Sequence, residues 1–228
     1  MVMGNGAASA NGAKQHRVLL VGQERLVMDA LRVALQSNHM NVVSTSGAQA
    51  TEVLKSVASV RPDIVIIGDR HDRPDLIKQL SALDTKVLVI CPANRVVEAR
   101  CIVAGASAIL NMGQPYNELL QTIDDILGGK VLVTKAYLQE MQMVMREMKQ
   151  IERDKRRKYE RLTTREMAIL AEISAGRSAT EIAESSYTSV NTVRSHIKSV
   201  LQKLEVNSQV QAVAMAHQNG WLNEPLPA

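Results

Sequence analysis

The sequence predicts two unlike units joined by a helix: an α/β unit built on a five-stranded parallel sheet, and a smaller all-α unit of four helices. Three observations lead there. Over residues 16–133, five short apolar runs alternate with five amphipathic stretches. Residues 135–161 contain neither Gly nor Pro and are rich in Met, Glu, Lys, Gln and Arg, all good helix formers. Beyond residue 162 the helix-opening signature Ser/Thr-x-x-Glu/Gln occurs at Thr163 with Glu166, Ser178 with Glu181 and Ser208 with Gln211.

In chain order, residues 1–15 (MVMGNGAASANGAKQ) are small, polar and Gly-rich, and are expected to form a disordered tail, as is the short stretch 224–228. The strand candidates are 17–21, 41–45, 63–67, 86–90 and 107–110. Between them lie the helical patterns 24–36, 48–60, 74–83, 95–104 and 116–127. Strict alternation of this kind implies a parallel sheet covered on both faces. With right-handed crossovers, a flavodoxin-like, doubly wound order is the most economical topology. The helical linker is placed at 134–160. Leu138, Met141, Met145 and Met148 recur there at a and d spacing, but two heptads fall short of the three or four that a coiled coil needs. This seam packs either on the α/β unit or on its copy in a dimer. The linker ends in RDKRRKYER at 153–161, with six cations among nine residues.

The all-α unit is placed at 161–223. Leu162 and Met167 suit a hydrophobic staple around the Thr163 cap, Gly176 and Gly220 suit left-handed helix ends, and Trp221 is expected to fold back as a lid. Residues 178–206 read as two short helices and a bend. Ser189 is a good N-cap for the second helix, after which Val190, Val193, Ile197, Val200, Leu201 and Leu204 share one face. The opposite face carries Asn191, Arg194, Ser195, Lys198 and Gln202. Such a stripe alone is the ordinary solvated side of an amphipathic helix. With cations one turn apart and no acid before Glu205, it is also a surface that fits the major groove of double-stranded DNA.

The stretch LTTREMAILAEISAGRSATEIAESSYTSVNTVRSHIKSVLQKLEV resembles the LuxR-type helix-turn-helix, the output domain of nitrate-regulator-like response regulators. The resemblance rests on Leu162, Thr163, Arg165, Glu166, Leu170, Gly176, Glu181, Ile182, Ala183, Ser189, Thr192, Val193, Arg194, His196, Lys203 and Leu204. It implies that Arg194, Ser195 and Lys198, joined by Asn191 from the same face, reach bases, that Ser189, Thr192 and Lys203 reach phosphates, and that His196 is structural. Ser186 and Thr188 stand where the family has large aliphatic residues, so the turn between the helices is expected to pack differently, with Tyr187 filling the gap.

The α/β unit, with Arg61-Pro62-Asp63 and Gly105-Ala106 before its third and fifth strands, resembles a response-regulator receiver in fold but not in chemistry. Where a receiver has its acidic pair, phosphoryl-accepting Asp, hydroxyl and Lys, this chain has Gly22 with Gln23, Gly68, Cys91 and Met112. Those residues offer no oxygen cage for Mg²⁺ and no nucleophile. Asp69 falls one residue late, which in a strand turns its side chain to the other face. The reading is a pseudo-receiver whose crevice, lined by Gly22, Gly68, Cys91 and Met112, either admits a small-molecule ligand or protein partner or is packed shut.

Function classes follow. The sequence shows no nucleophile–base pair, phosphate loop or metal-ligand spacing, so neither an enzyme nor a cofactor or metal is expected. No apolar stretch suits a signal or a membrane span. Two cysteines, Cys91 and Cys101, make no disulfide framework, which suits a reducing cytoplasm. A net charge of +4 does not itself prove a nucleic-acid partner. The expected function is a phosphorylation-independent, orphan-type transcription regulator that binds an operator as a homodimer; the resemblance to the LuxR-type domain implies pairing through the last helix, 208–219. The alternative is a protein-interaction adaptor whose helix-turn-helix no longer binds DNA productively.

Overall fold

A computed structural model of the chain describes residues 15–68 and 73–223. Asp69 and nearly all of both expected tails lie outside them. The chain divides into two compact units, residues 1–146 and 147–228.

The first unit is a doubly wound α/β fold. Strands β1 (Arg17–Val21), β2 (Asn41–Thr45), β3 (Ile64–Gly68), β4 (Val87–Cys91) and β5 (Ala108–Asn111) alternate with helices α1 (Arg25–Ser37), α2 (Ala50–Val60), α3 (Pro74–Ala82), α4 (Arg95–Ala104) and α5 (Tyr116–Leu127). The sheet is parallel in the order β2-β1-β3-β4-β5, the flavodoxin-like order expected. Because successive side chains point to opposite faces, the apolar strands feed two cores. Leu19, Val65, Ile67, Val89 and Cys91 pack under α2, α3 and α4, whereas Val18, Leu20, Ile66, Leu88 and Leu110 pack under α1 and α5. Replacing a fully buried member such as Ile66 with Ala removes about 2–5 kcal/mol.

Three strands begin and end one residue later than the apolar runs suggest, and before two of them a polar residue is tied to the neighbouring strand. The Asp63 carboxylate accepts from the Arg17 N–H at 2.8 Å while its own N–H donates to the Arg17 carbonyl. The Ser107 N–H donates to the Val87 carbonyl at 2.7 Å, and its hydroxyl accepts from the Val87 N–H. These residues clamp the strand mouths, and the regular ladder starts after them. Strand β5 ends at Asn111, opposite Cys91, with Met112 one step beyond.

Helix α6 (Lys135–Glu160) leads from one unit to the other, so residues 134–160 form no third body. Most of its apolar seam rests on the α/β unit. Met141 is buried in the core under α2–α4, with Tyr137, Leu138 and Met145 packed beside it. The Tyr137 hydroxyl donates to the Glu98 carboxylate, and Arg95 pairs with Glu140.

The second unit comprises the end of α6, then α7 (Thr164–Ser174), α8 (Ala179–Ser185), α9 (Val190–Leu204), α10 (Gln209–Gln218) and a 3-10 turn, Trp221–Asn223. Thr163 and Ser178 form complete reciprocal capping boxes with Glu166 and Glu181. At Ser208 only half the box forms, because the Gln211 side chain turns instead to the Asn207 N–H at 2.9 Å. Trp221 does close the unit: it is buried and stacks on Tyr159 of α6 at 4.7 Å between ring centres.

Candidate nucleic-acid interface

Helix α9 is held by its inner face and leaves its outer face to solvent. Val193, Ile197, Val200 and Leu204 are buried against Ile169, Leu170, Ile182 and Ala212 of the neighbouring helices. On the other side Asn191, Arg194, Ser195, Lys198 and Gln202 are all exposed. Among the described residues no carboxylate pairs with Arg194 or Lys198, in contrast to the cations at the end of α6. There Lys158 and Arg161 pair with Glu205, Arg156 with Glu160 and Arg157 with Asp154. At the start of α9 the Ser189 hydroxyl accepts from the Thr192 N–H at 3.0 Å and lies 2.8 Å from the Thr192 hydroxyl. The first turn contains no acid. A helix start that presents hydroxyls and N–H groups without a nearby carboxylate is suited to receive a phosphate.

Lys203 makes a bond within the unit. Its ammonium lies 2.6 Å from Glu166, which at 4% exposure is the one buried charged residue among those described. The Glu166 carboxylate also accepts from the Ser199 hydroxyl at 2.7 Å and from the Thr163 N–H at 2.7 Å. Burial pushes this carboxyl up, but donation from Lys203, Ser199 and Thr163 outweighs burial and holds it down at about 2. The capping carboxylate of α7 is thus also tied to α9, through Ser199 and Lys203. The sequence signal was present but ambiguous: Ser199 and Lys203, four residues apart, share one side of α9.

At the carboxyl ends of β1 and β3, the residues standing in for receiver chemistry enclose no polar pocket. A Cβ on Gly22 would come within 2.5 Å of the Gly68 carbonyl oxygen and 2.6 Å of the Met28 sulfur. One on Gly68 would meet the Met28 methyl at 2.6 Å. The thioether of Met28, itself buried on α1, therefore occupies the space that carboxylates would need. Cys91 turns into the core under α2–α4 and Gln23 is exposed. Of the four crevice residues, only Gly68 and Met112 line an open cavity there.

Residues 160–216 match the model of bacterial regulatory proteins of the luxR family. The chain carries a LuxR-family DNA-binding domain. Relatives extend the likeness over both units. The uncharacterized transcriptional regulatory protein YhcZ of Bacillus subtilis (strain 168) is 27% identical over 208 residues, 88% of this chain and 94% of YhcZ. Response regulator protein VraR of Staphylococcus aureus (strain NCTC 8325 / PS 47) is 25% identical over 209 residues, 89% of this chain and 97% of VraR. Transcriptional regulatory protein YdfI of Bacillus subtilis (strain 168) is 26% identical over 215 residues, 91% of this chain and 98% of YdfI.

Within this LuxR-family domain the turn between α8 and α9 departs from expectation. Tyr187 does not fill the space beside Ser186 and Thr188; it is 99% exposed. The backbone explains why. The Thr188 N–H bonds to the Ala183 carbonyl at 3.0 Å and the Tyr187 N–H to the Glu184 carbonyl at 3.3 Å, the two bonds of a Schellman cap. That cap needs a left-handed residue, and Tyr187 supplies it at φ 52°. Ser186 and Thr188 stay half-buried.

Proposed function

We propose that this LuxR-family chain is a transcription regulator that binds a two-half-site operator as a homodimer without phosphorylation. The observation that carries the reading is the outer face of α9, where Arg194 and Lys198 stand one turn apart, exposed and without acidic partners among the described residues. In a major groove, Arg194, Ser195, Lys198 and Asn191 are in position to read base edges, and Ser189 with Thr192 to hold a phosphate at the helix start. Independence from phosphorylation is supported by Met28, which fills the space over Gly22 and Gly68. Dimerisation is supported by α10, whose exposed Val210 and Ala214 lie one turn apart and are small enough for close helix pairing. Two copies on DNA about one helical turn apart combine the binding of two small modules. Such a regulator works in the cytoplasm, on the nucleoid.

The test is selection of sites from a random DNA pool by the full-length protein without phosphodonor, beside the Arg194→Ala/Lys198→Ala double variant. Recovery of a symmetric motif by the wild type alone supports the reading. Enrichment of nothing by the wild type gives way to the adaptor reading.

A further inference from the structure

A cavity of about 410 Å³ opens in the α/β unit between α1 and α5, over the ends of β3, β4 and β5. Its size is within the range of small-molecule sites, roughly 300–1,000 Å³. Met28, Leu31, Ile90, Leu110 and Leu119 form apolar walls, and Gly68 lines one end beside the Met28 methyl. The mouth is accessible, since Val27 is 44% and Met112 45% exposed. Polar groups are few and stand at the mouth. The Tyr116 hydroxyl accepts from the Asn38 amide at 3.2 Å, which leaves its own hydrogen to donate. Burial pushes the Tyr116 phenol up, so it keeps that hydrogen. Among the described residues Glu24 is the only charged one in the lining, and its carboxylate disfavours an anion. Met28 and Met112, with flexible thioethers, let the walls fit more than one shape.

We propose that this cavity is a binding site for a compact, neutral, mostly apolar ring compound whose one oxygen accepts a hydrogen bond from Tyr116. Flat exposed apolar faces suit protein partners; here the apolar surface is concave, which suits a small molecule. The inference stands apart from the DNA reading, because it concerns only the first unit.

The test uses the full-length protein with ¹³C-labelled methionine methyls, titrated with 2-naphthol. The expected result is a saturable shift of the Met28 and Met112 methyls while Met141 and Met145, in the opposite core, stay still. Val27→Trp at the exposed rim and Leu31→Phe in the wall should each weaken binding by about tenfold or more. No saturable shift in the wild type, or equal affinity in both variants, overturns the proposal. A Met28 shift driven by protein concentration alone also overturns it and assigns the cavity to a second copy. Operator selection by the wild type is read separately, so failure of either reading is distinguishable from failure of the other.

Discussion

The outer face of α9 and the crevice above β1 and β3 make an instructive pair, since each is a place where resemblance to a known family leads one to expect polar chemistry. On α9 the polar side chains are present, exposed and, at Arg194 and Lys198, free of acidic partners among the described residues. In the crevice the carboxylates are replaced by Gly22 and Gly68, and the vacated space is taken by the Met28 thioether. An unpaired, solvated cation costs little to keep, and it keeps its capacity to bind phosphate and bases. A receiver's carboxylates, by contrast, repel one another unless a metal binds, so once their chemistry is dispensable an apolar filling is the more stable arrangement.

That contrast can be broken most forcefully on α9. Arg194→Ala and Lys198→Ala should each cost about 1–3 kcal/mol of operator binding and relax base preference, by fluorescence anisotropy on matched and mismatched sites. Equal losses on specific and random DNA would demote these residues to phosphate contacts. Next in size is Glu166. Its folded carboxyl sits at about 2 against an ordinary 4.5, so its stabilisation is fully present above about pH 4.5 and is lost as pH falls toward 2. The shift corresponds to no more than about 3 kcal/mol, because Lys203 remains one-third exposed and partly screened. Glu166→Gln should therefore lower stability at pH 7 by roughly 2–3 kcal/mol and flatten the acid limb of a urea-denaturation series.

In the crevice, Gly22→Ala forces a methyl against the Gly68 carbonyl oxygen as well as the Met28 sulfur and should destabilise the first unit by about 1–3 kcal/mol. Met28→Ala in the same chain should recover part of that loss, and the double-mutant cycle measures how much. The smallest effect lies at Tyr187. Its left-handed conformation costs on the order of 1 kcal/mol for a residue with a Cβ, so Tyr187→Gly should raise the unfolding free energy by up to about that much. An unchanged or lowered value would mean that the exposed ring contributes something the cap does not explain.

These same residues show how far the sequence could be read. The alternation of apolar runs with amphipathic stretches pointed to a parallel sheet covered on both faces, and right-handed crossovers pointed to its order, because both follow from the chain's local pattern. The capping residues Thr163, Ser178 and Ser189 placed the starts of α7, α8 and α9 because their bonds are local. What depends on distant partners was not legible. Val27, Met28 and Leu31 are interchangeable apolar residues in the pattern of α1, and only the fold shows that Met28 reaches Gly68. Lys203 and Glu166, 37 positions apart, read separately as a phosphate contact and a cap. Tyr187 looked like packing material until the backbone bonds of its turn fixed it in the left-handed region, pointing away from the core.

The most direct measurement is the affinity of the full-length protein for its selected operator with and without acetyl phosphate and Mg²⁺, with covalent phosphate followed in the same samples. Binding of equal strength in both, with no acid-labile phosphate on the protein, is the expected result. Tighter binding that rises in step with incorporated phosphate would contradict it.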